Sequence, residues 1–166
     1  AVALGARFAD AAAAVGRSAG VARRFQWRGE RDGATFVDDY AHLPGEVAAA
    51  LSAAVDGRWD RVVCVFQPHR YSRTQAVGAD FAGAFAGADL VVVTDVYGAG
   101  ERPRPGVTGR LVADAVARGP GAPPVAYVPE RGDLVSYLRA ELLPGDLCLT
   151  LGAGDLTTLP DELLSG

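Results

Sequence analysis

A cluster of cationic and aromatic side chains follows an apolar run near the middle of the chain. Residues 61–65, RVVCV, have the pattern of a buried strand, and FQPHRYSRT follows at residues 66–74. Arg70 and Arg73 lie three residues apart, so they share one face if a helix begins here. Two guanidinium groups beside the start of a helix suit a carboxylate or a phosphate. The sequence therefore predicts an anion site where this strand ends.

A second polar cluster is built in the same way. Residues 34–37 are typical of a strand, DDYAHLP follows at residues 38–44, and residues 44–55 show helical spacing. The chain has two histidines, His42 and His69, and each cluster contains one. In a parallel sheet both loops open at the carboxyl ends of neighbouring strands, so we expect them to border one crevice. The alternative is that one histidine is bonded within its loop and the other lies on the surface.

Composition excludes several classes of protein. All 16 basic residues are arginine, and a Walker A loop needs a lysine to reach the phosphates, so this chain contains no such loop. A net charge of −4 without a basic stripe argues against nucleic-acid binding. No apolar run reaches the ~20 residues that cross a membrane. Cys64 and Cys148 lie in predicted core strands, where we expect buried hydrophobic residues and no redox or metal role. Without a signal-peptide pattern, the expected compartment is the cytoplasm.

Strands and helices alternate along most of the chain. An alanine-rich helix is predicted at 2–15, followed by a hairpin that joins strands at 24–28 and 35–37 through an Asp-Gly turn. Further strands are predicted at 61–66, 90–94, 125–128 and 146–151, and helices at 44–55, 73–85, 109–117, 131–141 and 156–164. This alternation predicts an α/β fold: a Rossmann-like, mostly parallel, doubly wound sheet of about six strands, with helices on both faces and an N-terminal hairpin.

The two polar clusters resemble two signatures of the Mur ligases. Three further segments agree with that family: GVARRF at 20–25, DVYGAGE at 95–101 and LTLGAGD at 149–155. The five matches are collinear, and the segment at 66–74 is the most specific, because it resembles the members that add L-alanine to UDP-N-acetylmuramate. The resemblance implies the C-terminal third of a three-domain enzyme. Residues 1–22 would then be the end of the central domain and the hinge, and residues 23–166 the C-terminal domain.

The resemblance also implies roles for individual residues. Arg24 and Asp39 match positions that contact ATP. The positions around the incoming amino acid are matched by Tyr40, His42, Arg70 and Arg73. Additional candidates are His69, Gly152 and Asp155. No metal ligand is expected in this chain, because the family holds Mg²⁺ mainly in the central domain.

Each of these residues also has a purely structural interpretation. Arg24 can be an exposed arginine beside a hairpin, and periodicity does not separate it from Arg23. Asp39 can cap a helix or a turn, as aspartates before helices commonly do. His42 can bond to its own loop. The glycine pairs at 98–100 and 152–154 can be tight turns, with Asp155 as a cap.

The resemblance implies an ATP-dependent ligase that joins L-alanine to UDP-N-acetylmuramate in peptidoglycan synthesis. This chain would supply the amino-acid pocket and one wall of the ATP site, with ATP and Mg²⁺ held mainly elsewhere, so by itself it should be inactive. Two alternatives remain. Leu43 stands where the L-alanine-adding enzymes usually carry a second histidine, which favours a Mur ligase for a different amino acid. The other alternative is a free-standing, non-catalytic module that binds a nucleotide or an anion.

Overall fold

The chain forms an α/β domain in a computed structural model that describes residues 5–10, 13 and 21–165. Its strands are β1 (Gln26–Arg31), β2 (Ala34–Asp39), β3 (Arg61–Phe66), β4 (Leu90–Val93), β5 (Val125–Tyr127) and β6 (Asp146–Leu151). The α-helices after residue 21 are α1 (Pro44–Val55), α2 (Tyr71–Val77), α3 (Arg110–Ala117), α4 (Arg131–Glu141) and α5 (Leu159–Ser165). Two 3₁₀ helices lie at Gly78–Gly83 and Asp155–Thr158.

The strands form one sheet in the order β1-β2-β6-β3-β4-β5. β1 runs antiparallel to β2, and all the other neighbours in the sheet are parallel. The predicted Rossmann-like sheet with an N-terminal hairpin is therefore confirmed. One expectation is wrong: β2 and β3 are not neighbours, because β6 lies between them. The connection from β5 through α4 carries the chain back to the middle of the sheet, which no local pattern encodes.

The hairpin turn has the geometry that its sequence favours. Asp32 and Gly33 have φ values of 51° and 83°. Two positive φ values are the mark of a type I′ turn, whose twist matches that of paired strands. The first strand, however, begins at Gln26 and not at residue 24. Arg23 and Phe25 have left-handed φ values of 58° and 43°, so the extended conformation cannot begin before Gln26.

Apolar side chains fill a layer on each face of the sheet. On one face, Val47, Leu51 and Ala54 of α1 belong to the same buried cluster as Val112 of α3. On the other face, Leu134 and Leu138 of α4 pack with residues of α5. Both cysteines are fully buried, as predicted, with Cys64 in the first layer and Cys148 in the second. The two layers fix the strand ends that carry the polar clusters.

Two predicted helices are divided. The segment at 73–85 forms α2 and then the 3₁₀ helix Gly78–Gly83, and α2 itself begins earlier, at Tyr71. Glycine is a weak helix former, and here it stands at both ends of the 3₁₀ segment. The tighter turn keeps the Phe81 ring 5.0 Å from the Phe66 ring in the core. The segment at 156–164 likewise divides into the 3₁₀ helix Asp155–Thr158 and α5.

Half of the predicted helix at 2–15 lies outside the described residues. Of the residues that the structure does describe, 8–10 and 13 are helical, whereas 5–7 are not. The division into residues 1–22 and 23–166 stays a prediction.

Candidate functional site at the carboxyl edge of the sheet

The carboxyl ends of β2, β3, β4 and β6 bring four loops together at one edge of the sheet, called the carboxyl edge below. The Gly152 N–H donates to the Asp39 carbonyl over 3.2 Å, which joins the exits of β6 and β2. The Arg70 N–H donates to the Tyr97 carbonyl over 2.8 Å, which joins the loops after β3 and β4. The two polar clusters therefore open at the same edge, as expected, although β6 lies between their strands.

A row of aromatic rings crosses the carboxyl edge. The ring centroids of Tyr40 and His42 lie 5.3 Å apart, and those of His42 and His69 lie 5.6 Å apart. The His69 ring then stacks on Tyr97 at 5.8 Å with an interplanar angle of 20°. Both histidines of the chain thus meet at one place. The alternative, in which one histidine is bonded within its loop and the other simply lies on the surface, does not explain this meeting.

The predicted arginine pair lies at the start of α2. Arg70 is exposed and adopts a φ of 68°, a left-handed conformation that is costly for a residue other than glycine. Arg73 lies one turn further on, with its Nη1 3.2 Å from Nδ1 of His69. Partial burial, followed by the charges of Arg73, His42 and Arg70, lowers the pKa of His69 below its ordinary value. Because a guanidinium can only donate, Nδ1 of His69 is the acceptor in this contact and orients Arg73.

His42 is held by its own loop and by the first turn of α1. Its Nδ1 lies 3.1 Å from the Tyr40 carbonyl oxygen and 3.2 Å from the Glu46 carboxylate. Glu46 also accepts hydrogen bonds from the His42 and Leu43 amides over 3.0 and 3.2 Å. Burial raises the pKa of Glu46, but these amides and the charges of His42 and Arg24 more than offset it, so the pKa lies below its ordinary value. The sequence reasoning missed Glu46, although a glutamate three residues into a helix is typical of a capping box.

Asp39 is buried and bonds to the backbone on both sides. Its Oδ2 accepts a hydrogen bond from the Phe25 amide over 2.7 Å, and its Oδ1 accepts one from the Ala41 amide over 2.8 Å. Both bonds belong to the turn interpretation of this aspartate. Each carboxylate oxygen still has a second lone pair, so the predicted nucleotide contact stays a prediction.

Two adjacent arginines before β1 point in different directions. The Arg23 Nε bonds to the buried Asp38 carboxylate over 3.3 Å, and its Nη2 donates to the carbonyl oxygen of Gly152. Arg24 is exposed, and its guanidinium lies 5.8 Å from the centroid of the Tyr40 ring. Within the described part of the chain the Arg24 guanidinium has no hydrogen-bond partner, although the Arg24 amide donates to the Val21 carbonyl over 3.1 Å. The structure thus separates an inward Arg23 from an outward Arg24, which periodicity does not.

The loop after β6 is packed against the loops beside it. The Gln67 Nε2 donates to Asp155 over 2.7 Å, and the Leu156 amide donates to the Gln67 Oε1 over 3.2 Å. A Cβ added at Gly154 would lie 2.5 Å from Cγ of Tyr97, so only glycine fits there. The tight-turn interpretation of this segment is thus seen directly, and a ligand contact of Gly152 or Asp155 stays a prediction. Gln67 was missed because a lone glutamine after a strand carries no distinctive pattern.

Glu101 fastens the loop after β4 to the start of α2. Its carboxylate accepts hydrogen bonds from the Ser72 amide, over 2.8 Å, and from the Ser72 hydroxyl. These bonds lower the pKa of Glu101 below its ordinary value. Because Ser72 lies between Arg70 and Arg73, Glu101 supports the arginine pair. The sequence reasoning noted its segment but gave Glu101 no role.

Two cavities open beside these loops. One of about 370 Å³ is lined by Arg24, Phe25, Asp39, Ala41, Glu46 and three alanines of α1. The other, of about 390 Å³, is lined mainly by Gln67, Thr94, Asp95, Tyr97, Arg131 and Asp155. Both open at the strand ends, where ligand sites of α/β sheets commonly lie. The first is lined mainly by apolar atoms and the second mainly by polar atoms.

Residues 5–10, 13 and 21–165 gather no group of three or more His, Cys, Asp or Glu side chains that could hold a metal ion. In the same residues, no helix is both long and apolar enough to cross a membrane.

The fold and the site define an α/β domain that gathers two arginines and both of its histidines at the carboxyl edge of its sheet. Residues 23–154 match the family described as the Mur ligase, glutamate ligase domain. Because the match covers well over half of the chain, the chain belongs to this family, and the resemblance noted in the sequence is confirmed.

Curated relatives are similar over nearly the whole chain. The UDP-N-acetylmuramate–L-alanine ligase of Rubrobacter xylanophilus is 50% identical over 161 residues, which cover 94% of this chain and 35% of that ligase. The ligase of the same name from Anaeromyxobacter dehalogenans is 52% identical over 146 residues, which cover 88% of this chain and 31% of that ligase. The chain spans about a third of the length of the curated relatives it matches.

Solved structures agree with this assignment. The UDP-N-acetylmuramate–alanine ligase of Thermotoga maritima superposes with a TM-score of 0.75 at 26% identity, covering 98% of this chain and 34% of that one. A murein peptide ligase from Psychrobacter arcticus gives a TM-score of 0.72 at 19% identity, covering 93% of this chain and 32% of that one, which shows the shared fold.

Proposed function

We propose that this chain is the amino-acid- and ATP-contacting domain of an ATP-dependent ligase that joins L-alanine to UDP-N-acetylmuramate in peptidoglycan synthesis. The observation that carries the proposal is the meeting of Arg70, Arg73 and both histidines at the carboxyl edge. The names of the relatives at about 50% identity support L-alanine as the amino acid. In this proposal the complete ligase is the full-length polypeptide, of which this chain would form the C-terminal third.

The arginine pair suits the carboxylate of the incoming amino acid. A guanidinium donates planar, charged hydrogen bonds that orient a carboxylate. Two of them at the start of α2 would hold the carboxylate away from the reacting centre and leave the amino group free. Positioning of this kind lowers a barrier by several kcal/mol, about 7–11 kcal/mol in the best cases. Tyr40 and His42 would border the same amino acid and order its amine or a water molecule.

The reaction has two steps in this proposal. The terminal phosphoryl group of ATP passes to the muramoyl carboxylate and gives an acyl phosphate and ADP. The neutral amine of L-alanine then attacks the acyl carbon, so that a C–N bond forms, the C–O bond to phosphate breaks, and phosphate leaves with the electron pair. The proton that the amine loses is taken up by the released phosphate, directly or through water, so that an amide and hydrogen phosphate result. Arg24 would meet the phosphates from the side of the cavity that it lines with Asp39, where a guanidinium stabilises charge in transfer.

ATP and Mg²⁺ would be held mainly by other domains of the complete ligase. This chain has no lysine for a Walker A loop, and its described residues gather no metal-binding group. The proposal therefore assigns no metal ligand to this domain. By its substrates, the complete ligase would work in the cytoplasm.

Ligation assays with labelled amino acids test the proposal. The complete ligase, given ATP, Mg²⁺ and UDP-N-acetylmuramate, should incorporate L-alanine and release one phosphate for each amide formed. Incorporation of a different amino acid with its matching acceptor would favour the alternative that Leu43 suggests. The absence of any ATP-dependent incorporation would favour a non-catalytic anion-binding module.

A further inference from the structure

The segment before β1 is fastened to the carboxyl edge on both sides of Arg24. The Tyr40 amide donates to the Arg23 carbonyl over 2.8 Å. The Phe25 amide donates to Asp39 over 2.7 Å. Arg23 and Phe25 both adopt left-handed φ values, 58° and 43°, which residues with a Cβ rarely adopt. Such conformations persist where the surroundings over-determine them, so the backbone on either side of Arg24 is fixed by its neighbours.

The Arg23 side chain contacts the ends of two strands at once. Its Nε bonds to Asp38 over 3.3 Å, and its Nη2 contacts the carbonyl oxygens of Gly152 and Gly154. Its guanidinium also lies over the Tyr40 ring, 4.9 Å from the centroid. Arg23 therefore connects the segment before β1 with the exits of β2 and β6.

Asp38, which anchors Arg23, is 1% exposed and accepts hydrogen bonds through both carboxylate oxygens. It accepts hydrogen bonds from the hydroxyls of Thr150 and Thr157 over 2.8 and 2.7 Å. A second arginine, Arg28, approaches the same carboxylate at 3.9 Å, but bonds mainly to the Thr157 carbonyl and to Asp161. The Asp38 carboxylate is thus held in place, and Arg23 is the arginine next to Arg24 that bonds to it.

We propose that Arg23 is a positioning residue for the reaction, and that it acts by fixing the direction in which Arg24 is presented. The inference rests on the proposed function, since it takes Arg24 as the residue that meets ATP. Arg23 itself faces inward to Asp38 and the glycine carbonyls, so it orients its neighbour and does not touch the nucleotide. Substitution of Arg23 should then impair the use of ATP more than the use of L-alanine.

A double-mutant cycle in the complete ligase tests this. Arg23→Gln should raise the KM for ATP about tenfold, because small misplacements of a binding group cost up to about a hundredfold. In the Arg24→Ala background the same change should have little further effect, because Arg23 acts through Arg24. Additive effects of the two substitutions on the KM for ATP would overturn the inference.

Arg28→Gln is the matched control, because it removes an arginine from the same carboxylate without touching the segment of Arg24. It should lower the unfolding temperature while leaving the KM for ATP near that of the unsubstituted enzyme. If Arg28→Gln raises the KM for ATP as much as Arg23→Gln does, the effect belongs to Asp38 and the inference is wrong. Failure of the proposed function would look different, since the unsubstituted enzyme would then not ligate L-alanine.

Discussion

Replacement of Arg73 by alanine in the complete ligase should raise the KM for L-alanine far more than that for ATP. Arg73 is partly buried, and its one polar contact within the described residues is the 3.2 Å approach to His69 Nδ1. A hydrogen bond to a charged group, such as a substrate carboxylate, contributes about 1.5–3 kcal/mol. Its loss corresponds to a rise of about ten- to a hundredfold in the KM for L-alanine.

The structure also argues against loss of stability as the cause of a raised KM for L-alanine in Arg73→Ala. Arg73 holds no buried carboxylate, so its loss leaves no buried charge unpaired. Arg104→Ala is a suitable control. Arg104 is an exposed arginine outside α2 that donates a hydrogen bond over 2.8 Å to Gln75, which lies in α2 together with Arg73. It should leave both KM values unchanged.

Initial rates of phosphate release, measured against each substrate in turn, decide the matter. A large defect in the KM for ATP together with an unchanged KM for L-alanine would show that the start of α2 holds a phosphate and not the amino acid. A circular-dichroism melt of each variant separates this result from misfolding.

Four further outcomes are expected. The isolated chain should release no phosphate from ATP in the presence of both other substrates, because it has no lysine for a phosphate-binding loop; measurable ligation would contradict this. Glu101→Ala should raise the KM for L-alanine. Glu101→Gln keeps one acceptor oxygen for the Ser72 amide and hydroxyl, so it should raise this KM less. Equal effects of the two substitutions would argue against the support of α2 by the bonds between Glu101 and Ser72. Acidification from about pH 6.5 should destabilise the chain through His69, because its lowered pKa means that the folded chain binds the proton less readily than the unfolded chain. His69→Gln should therefore lessen the fall in the urea midpoint between about pH 7.5 and about pH 5, and an unchanged fall would refute this assignment. Cys64 and Cys148 should react with an aromatic disulfide reagent only after unfolding, because burial raises the pKa of both thiols, that of Cys148 to about 12; rapid reaction of the folded chain would contradict their burial.

Local patterns predicted most elements of the fold. Asp32 and Gly33 form the hairpin turn that this residue pair favours, and the apolar strands lie within a few residues of their predicted positions. Periodicity did not predict the break before Gly78, because the apolar spacing continues across it. Nor did it predict that β6 lies between β2 and β3, since strand order is decided by long-range packing.

The site was predicted in outline but not in its supporting bonds. His42 and His69 meet because each follows a strand of the same parallel sheet, which the sequence does indicate. Their supporting residues, Glu46, Gln67 and Glu101, act across loops that are distant in sequence or through single hydrogen bonds. Isolated polar residues of this kind have no pattern of their own, so only the folded structure identifies them.

A structure of the complete ligase with ADP and UDP-N-acetylmuramoyl-L-alanine tests the central claim most directly. The proposal expects the alanine carboxylate within hydrogen-bonding distance of Arg70 and Arg73, beside His42, and the ADP phosphates facing Arg24. An alanine carboxylate bound away from the start of α2, or phosphates bound between Arg70 and Arg73, would contradict the assignment of this edge of the sheet to the amino acid.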